Sequence, residues 1–214
     1  MAGQAIGVPD GHYFDHEPEV ASDPRAVPLL LPDLSVTLTT DRGVFARDAV
    51  DPGTKLLLLD GPRPPADGDL LDLGCGYGPV AVTLARRAPA ARVWAVDVNR
   101  RALSLCAANA AAAGVEVRTA TPDEVPADVR FAGIWSNPPV RIGKEALHQL
   151  LAGWLDRLAP EGRAALVVHR HLGADSLARW LAAEGWPTAR TGSRMGYRLL
   201  EVRPRPAGSE DAGS

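Results

Sequence analysis

The tripeptide Asn137-Pro138-Pro139, at the centre of the run Trp-Ser-Asn-Pro-Pro-Val-Arg-Ile-Gly-Lys, has the composition of a binding site for an amine. Proline fixes its own φ, has no backbone N–H and disfavours a helical conformation in the residue before it. Asn137 and Pro138 are therefore predicted to be extended, which makes the Asn137 side-chain oxygen and the Pro138 carbonyl a rigid pair of hydrogen-bond acceptors. Such a pair could hold both N–H groups of an exocyclic amine. The alternative interpretation is a strand-to-helix turn that contains two prolines.

A glycine-rich stretch, Asp72-Leu73-Gly74-Cys75-Gly76-Tyr77-Gly78, follows a predicted strand and opens a predicted helix. Its glycines allow a tight turn, and its backbone N–H groups and helix dipole favour a negatively charged ligand group. The third glycine comes one residue too early for the dinucleotide pattern G-x-G-x-x-G, and Asp72 would repel a pyrophosphate. A ligand that carries both a cation and a carboxylate suits the loop better. S-adenosylmethionine (SAM), with its ammonium, carboxylate and sulfonium groups, is such a ligand.

An acid at the end of the second predicted strand completes the expected cofactor site. Asp97 follows Gly76 by 21 residues and could accept hydrogen bonds from both ribose hydroxyls. Cys75, inside the glycine loop, is expected to be a small residue facing the ligand rather than a nucleophile. The two segments together supply the residues expected to contact SAM, which are Asp72, Gly74, Cys75, Gly76, Gly78, Asp97, Val98 and Asn99.

Predicted strands and helices alternate from residue 69 onward. Seven strands are predicted, at 69–73, 92–97, 115–119, 131–136, 163–169, 187–192 and 195–202. Helices are predicted at 79–88, 99–113, 143–158 and 174–184. The alternation predicts an α/β fold, in which a Rossmann-like parallel sheet has helices on both faces and a C-terminal antiparallel hairpin. Because ligands bind beyond the carboxyl ends of such strands, at the switch point, the glycine loop and Asn137 should meet there.

The rest of the chain suggests a simple organisation. Short β-like runs at 34–40, 43–47 and 55–59, separated by turn signals, predict an N-terminal β extension over residues 12–60. The expected SAM-binding core covers 61–202. Residues 1–11 and 203–214 are rich in Gly, Pro, Ala and Ser, and we expect a flexible N terminus and a disordered tail.

Composition limits the possible classes of protein. The 214 residues are 46% hydrophobic and 23% charged, which is ordinary for one globular domain. No apolar run approaches ~18 residues, so no membrane span is expected. The two cysteines, Cys75 and Cys106, have no metal-ligand partner at useful spacing, and the start of the chain lacks a secretory signal. We therefore expect no metal and a cytoplasmic location. The net charge of −3 means that any nucleic acid must meet a local basic face or be presented by a larger assembly.

Three segments, residues 72–78, 96–99 and 136–139, resemble motifs of the class I SAM-dependent methyltransferases. The chain is similar, more narrowly, to the methyltransferase small group, which includes the 16S ribosomal RNA guanine-N2 methyltransferases. Further segments resemble that group in the same order, namely His12-Tyr13-Phe14, residues 40–45, residues 137–144 and Gly196-Tyr197. The resemblance covers about residues 12–202. It implies a SAM-dependent N-methyltransferase that acts on an exocyclic amine of an RNA base, guanine N2 of 16S rRNA, with the small ribosomal subunit or its rRNA as partner.

The resemblance also assigns roles to residues. Asn137 and Pro138 would be catalytic, and Asn137 would contact SAM as well. The residues expected at the substrate are Phe45, Pro139, Val140, Arg141 and Lys144. Val140 stands where relatives often have an aromatic ring that stacks on the target base, so stacking is either weakened or supplied from elsewhere, with Phe45 or Trp135 as candidates. Thr121 stands where an acid usually meets the adenine amine, and Asp123 is expected to substitute for it.

Two other functions fit the same residues. Asn-Pro-Pro would hold the side-chain amide of a protein glutamine, or an amine of a small molecule, equally well. A SAM-binding module without enzymatic activity is the other alternative, favoured by the departures at Val140 and Thr121.

Overall fold

A computed structural model describes residues 20–206 of the chain. The described part begins with two antiparallel strands, β1 (Arg25–Leu31) and β2 (Leu34–Thr40), which form a separate two-stranded sheet. Helix α1 (Pro52–Asp60) follows them. The predicted flexible segment 1–11, the motif His12-Tyr13-Phe14 and residues 207–214 of the predicted tail lie outside the described residues.

The other strands form one seven-stranded sheet. Its strands are β3 (Asp69–Leu73), β4 (Arg92–Val96), β5 (Arg118–Ala120), β6 (Phe131–Ser136), β7 (Leu158–His169), β8 (Thr188–Arg194) and β9 (Tyr197–Val202). The helices between them are α2 (Pro79–Arg87), α3 (Arg100–Ala112), α4 (Lys144–Leu155) and α5 (Ala174–Ala183).

The strand order in this sheet is β5-β4-β3-β6-β7-β9-β8. Strands β3 to β7 pair in parallel, whereas β9 pairs antiparallel with both β7 and β8. The chain moves outward from β3 to β5 and then returns to β6 on the other side of β3, so the switch point lies between β3 and β6. The seven-stranded sheet with a C-terminal antiparallel hairpin confirms the predicted fold class.

Helices cover both faces of the sheet. Successive residues of β3 point to opposite faces, so Leu70 packs in a core cluster with α1, α2 and α3, while Leu71 packs in a second cluster with α4 and α5. The N-terminal hairpin adds Val27, Leu29 and Leu38 to the first cluster. The hairpin therefore packs on the same side of the sheet as the helix that follows the glycine loop.

The predicted strands at 43–47 and 55–59 are wrong. Residues 43–47 form turns, and residues 55–59 belong to α1. The helix begins there because the Asp51 carboxylate accepts a hydrogen bond from the Thr54 N–H at 3.0 Å and Pro52 occupies the first turn. Three leucines of this helix, Leu56, Leu57 and Leu58, are buried in the first core cluster, which explains the apolar run. The N-terminal extension is thus a β hairpin followed by a helix.

Several element boundaries also differ from the prediction. Helix α4 ends at Leu155, and the Arg157 N–H after it donates to the Trp154 carbonyl. Leu158, predicted to be the last helical residue, already belongs to β7. Strand β5 begins at Arg118, later than predicted. Within residues 20–206, no helix has the length and apolar character needed to cross a membrane.

Candidate active site

The glycine loop turns sharply between β3 and α2. Gly74, Gly76 and Gly78 have positive φ of 75°, 53° and 90°, a conformation that side chains other than glycine rarely adopt. A Cβ on Gly74 or Gly76 would meet no atom within 4 Å, whereas a Cβ on Gly78 would lie 2.5 Å from the Cys106 Sγ on α3. The first two glycines therefore border open space that a ligand could enter. Gly78 instead allows α2 and α3 to pack closely.

Asp72, near the end of β3, is a buried carboxyl group that is 2% exposed. Its Oδ2 accepts a hydrogen bond from the Ala81 N–H in the first turns of α2, at 2.8 Å. Burial raises the pKa of Asp72 to about 8, with a smaller upward contribution from the charge of Asp97 and a downward one from the Ala81 N–H. A nearby cation would stabilise the ionised form, so the site favours a ligand with a positive group.

Asp97, directly after β4, connects the two predicted cofactor segments, the glycine loop and residues 97–99, by hydrogen bonds. Its carboxylate accepts hydrogen bonds from the Gly76 N–H at 2.9 Å and from the Asn99 N–H at 3.0 Å. Burial raises the pKa of Asp97, and these backbone donors partly offset the rise. Asn99 itself caps α3, and its Nδ2 donates to the Gly43 carbonyl at 2.8 Å. The Asn99 side chain thus caps α3 and supports the loop before α1.

The segment after β5 lies beside Asp97, because the Asp97 N–H donates to the Ala120 carbonyl. The Thr121 hydroxyl donates to the Asp123 carboxylate at 2.6 Å, and the Thr121 N–H donates to Glu124 at 2.8 Å. Thr121 is buried and Asp123 is exposed. Asp123, the acid expected to take over the contact with adenine, therefore lies two residues after Thr121 and is hydrogen-bonded to it.

The Asn-Pro-Pro segment follows β6, the strand next to β3. The Pro138 carbonyl accepts a hydrogen bond from the Val140 N–H at 2.8 Å, and Pro139 has φ −74° and ψ 68°, the values of an inverse γ-turn. One lone pair of the Pro138 carbonyl is thus already used. Val140 packs against the second core cluster, while Arg141 and Lys144 are exposed.

The Asn137 side chain has partners that the sequence did not predict. Its Nδ2 donates to the Asp51 carboxylate at 2.8 Å and to the Thr54 hydroxyl at 3.0 Å. Asp51 and Thr54 belong to the start of α1. The pair Asp51-Pro52, a preferred N-cap followed by a preferred first residue, was the sequence signal that could have revealed this helix.

A pocket joins these segments. Of the predicted site residues, it is lined by Phe45, Asp72, Gly74, Cys75, Gly76 and Asn137. It is also lined by six residues that were not predicted, namely Ala46, Asp51, Thr54, Tyr77, Pro79 and Val80. The Tyr77 hydroxyl is buried and has no hydrogen-bond partner among the described residues. Burial, together with the nearby Asp51 charge, raises the pKa of Tyr77.

The two candidate rings, Trp135 and Phe45, differ in exposure. Trp135 is 2% exposed and packs in the first core cluster, so it cannot stack on a ligand. Phe45 is 65% exposed and borders the pocket. Among residues 20–206, no group of three His, Cys, Asp or Glu side chains is arranged to hold a metal ion.

Comparisons with known proteins identify relatives of this chain. A Bacillus subtilis (strain 168) protein named YbxB, itself uncharacterized, is 31% identical over 196 residues, which cover 90% of this chain and 98% of that protein. The ribosomal RNA small subunit methyltransferase C of Pectobacterium atrosepticum is 32% identical over 179 residues, 81% of this chain and 51% of the relative. The chain thus spans about half the length of that methyltransferase.

A solved structure has the same fold. The 16S rRNA N2 methyltransferase RsmC of T. thermophilus, in complex with AdoMet and guanosine, matches with a TM-score of 0.75 and 24% identity, over 88% of this chain and 52% of that one. The family model for the methyltransferase small domain matches residues 35–190, which include the glycine loop, Asp97 and Asn137. This chain therefore belongs to the methyltransferase small domain family, as its motifs predicted.

Proposed function

We propose that this protein is a SAM-dependent methyltransferase that methylates an exocyclic amine of an RNA base, guanine N2 of 16S rRNA, in the cytoplasm. One observation carries the proposal: the Asn137 amide at the end of β6 and the glycine loop at the end of β3 line the same pocket. An acceptor for an amine is thus placed beside the expected methyl donor.

The residues around the glycine loop fit SAM. Gly74 and Gly76 border open space, which leaves room for a ligand against the backbone. The buried Asp72 carboxyl suits the ammonium group, and Asp97 can accept hydrogen bonds from the ribose hydroxyls while it holds the loop. The backbone of Val98 and Asn99, together with Asp123, would serve the adenine. SAM supplies an electrophilic methyl group there.

The acceptors of the Asn-Pro-Pro segment suit an aromatic amine. The lone pair of such a nitrogen is delocalised into the ring, which makes it a poor nucleophile. Hydrogen bonds to the Asn137 Oδ1 and to the remaining lone pair of the Pro138 carbonyl would favour a pyramidal nitrogen. Each could contribute about 1.5–3 kcal/mol as positive charge develops. Holding the nitrogen in line with the methyl group could contribute on the order of 7–11 kcal/mol. No strong base is needed, because the methylated nitrogen loses its proton readily.

The surroundings of the pocket support a nucleic-acid acceptor. Phe45 offers an exposed ring at the pocket, in place of an aromatic residue at Val140. Arg141 is exposed in the turn that follows Pro139 and Lys144 at the start of α4, and no carboxylate of residues 20–206 forms an ion pair with either. These two cations can contact phosphate, which would give a local basic face on a chain with net charge −3.

Transfer of a labelled methyl group from SAM tests the proposal. Purified small ribosomal subunits, rRNA and a protein extract are incubated separately with the protein. We expect label in RNA, at guanine N2 on nucleoside analysis. Label in protein or in a small molecule would support methylation of a glutamine amide or metabolite instead. SAM binding without transfer to any acceptor would favour a non-enzymatic module.

An Asn137→Ala variant tests the role of the amide. At saturating SAM we expect transfer to fall about 10- to 150-fold, the loss of one charge-assisted hydrogen bond. Ser104→Ala, at an exposed position on α3, is the control and should transfer at the wild-type rate. An Asn137→Ala protein that binds SAM and transfers methyl groups as fast as the wild type would contradict the proposed mechanism.

A further inference from the structure

The first turn of α1 lies directly against the Asn137 side chain. Asn137 Nδ2 donates to Asp51 Oδ1 at 2.8 Å and to Thr54 Oγ1 at 3.0 Å. Asp51 Oδ1 also accepts a hydrogen bond from the Thr54 backbone N–H, and Thr54 is 6% exposed. The first turn of α1 thus accepts the hydrogen bonds of the Asn137 amide N–H groups. The Asp51 carboxylate that accepts one of them also caps this turn.

This contact determines which way the Asn137 amide faces. A carboxylate can only accept hydrogen bonds, so the opposite orientation would place the amide oxygen against Asp51 Oδ1 and repel it. The Asn137 Oδ1 must therefore point away from α1. Within residues 20–206, no group donates a hydrogen bond to this oxygen, so it is available to a ligand, and the residue that carries it lines the pocket.

The turn that holds Asn137 is itself constrained by packing. A Cβ on Gly53 would lie 2.6 Å from the ring of Tyr197, the first residue of β9. The Tyr197 ring in turn makes an edge contact with His169, at a centroid distance of 4.9 Å. Because Gly53 lies between Asp51 and Thr54, any larger residue at this position would collide with Tyr197 and displace the turn that presents their side chains.

The charge of Asp51 affects the amide oxygen as well as its direction. An amide whose N–H groups donate to a carboxylate is polarised, and its oxygen becomes a stronger acceptor. Such an oxygen would stabilise an amine nitrogen most when that nitrogen becomes positive, which happens during methyl transfer and not in the bound substrate. The benefit therefore falls on the rate of transfer rather than on binding.

We propose that Asp51 and Thr54 are positioning residues that hold the Asn137 amide with its oxygen facing the pocket, and that the Asp51 carboxylate strengthens this oxygen as an acceptor. This role rests on the proposed transfer of a methyl group to an amine. It assigns to the start of α1 a part in the reaction that acts through Asn137, in addition to the place of both residues in the lining of the pocket.

Asp51→Asn tests the charge of the carboxylate separately from its hydrogen bonds. Asp51→Asn keeps an N-cap oxygen, since Asn caps helices as well as Asp, but it removes the charge. We expect kcat to fall about 5- to 10-fold, because a charge-assisted hydrogen bond is about twice as strong as a neutral one. The KM for the acceptor and the Kd for SAM should stay within about twofold, and the melting temperature should be nearly unchanged.

Thr54 offers a matched pair of variants. Thr54→Val preserves shape and removes the hydroxyl, and we expect kcat to fall about 10-fold, while Thr54→Ser restores the acceptor and should recover most of the rate. A readout independent of turnover is the exchange of the Asn137 side-chain amide with solvent, followed by nitrogen-15 NMR without SAM. Exchange of the amide hydrogens should be faster in Thr54→Val than in the wild type and in Thr54→Ser, because the variant lacks the hydroxyl that accepts one of them.

The outcomes distinguish this inference from the proposed function. If the wild type transfers methyl groups and Asn137→Ala does not, while Asp51→Asn and Thr54→Val match the wild type in kcat, the positioning role is overturned and the methyltransferase assignment stands. Unchanged amide exchange in Thr54→Val would also overturn it. If the wild type transfers methyl groups to none of the acceptors, the proposed function fails and the positioning role fails with it.

Discussion

The carboxyl group of Asp72 is buried at the end of β3 and accepts a hydrogen bond from the Ala81 N–H at 2.8 Å. In the described part of the chain this is the one donor that compensates for the loss of water, and burial raises the pKa of Asp72 to about 8. Asp97, the nearest acid that affects it, also has a raised pKa. At neutral pH the free protein thus holds Asp72 mainly protonated, whereas a bound ammonium group would favour the ionised form.

This relationship predicts a pH-dependent affinity for SAM. If the SAM ammonium group pairs with ionised Asp72, binding must release a proton below pH 8, and affinity should rise with pH up to about 8. Calorimetry in buffers of different ionisation enthalpy measures both the affinity and the proton release. Asp72→Asn keeps an acceptor for Ala81 but cannot ionise, so its weaker SAM binding should vary much less with pH. Equal pH profiles for the two proteins would contradict the assignment.

The same group should affect the stability of the free protein. A carboxyl whose pKa is higher in the folded than in the unfolded state takes up protons on folding, so its contribution to the free energy of unfolding falls as pH rises from about 4 to 8. Urea unfolding of ligand-free protein between pH 5 and 8 should show this decline in the wild type. The decline should be shallower in Asp72→Asn, where Asp97, whose pKa is also raised, still contributes in this direction.

The glycine loop offers a comparison of two substitutions. Gly78→Ala combines a φ of 90° with a Cβ 2.5 Å from the Cys106 Sγ, so we expect a loss of about 2–4 kcal/mol in unfolding free energy. Gly74→Ala has a similar φ but open space around its Cβ, so we expect a loss of only about 1–2 kcal/mol. SAM binding by the stable Gly74→Ala protein should nevertheless be weakened, because the methyl group enters the expected ligand space.

Denaturant unfolding and SAM titration of both glycine variants test this division of roles. A Gly74→Ala protein that is less stable than Gly78→Ala, or that binds SAM like the wild type, would show that the roles of the two glycines are assigned wrongly.

The exposed cations after Pro139 should determine part of the salt dependence of RNA binding. Removing one cation that binds a phosphate should reduce the slope of log affinity against log salt by about 0.7–0.9. We expect this change in Arg141→Ala and in Lys144→Ala, measured by fluorescence anisotropy with rRNA fragments. Arg86→Ala is the control, because Arg86 is exposed in the last turn of α2, at the opposite edge of the sheet from the site. Equal slopes in all four proteins would exclude Arg141 and Lys144 as phosphate-binding residues.

Features encoded in local patterns were predictable. The glycine loop, Asp97 and the buried strand β6 are short contiguous signals, and the strand–helix alternation implies the sheet in which they meet. The run Lys55–Leu59 misled the prediction because four consecutive leucines have no period that distinguishes a buried strand from a buried helix. Asp51-Pro52 was the better guide to this segment, since capping chemistry specifies a helix start regardless of the pattern that follows.

The sequence by itself determined the family, the alternation of strands and helices, and the chemical groups available at the carboxyl edge of the sheet. Only the tertiary structure decided how those groups face one another. Asn137 and Asp51 are 86 positions apart, and their contact arises because α1 packs on the sheet next to the end of β6. The burial of Trp135 and the exposure of Phe45 were decided in the same way. Local sequence sets backbone preference, whereas the direction of an amide and the burial of a ring depend on which distant segments pack against them.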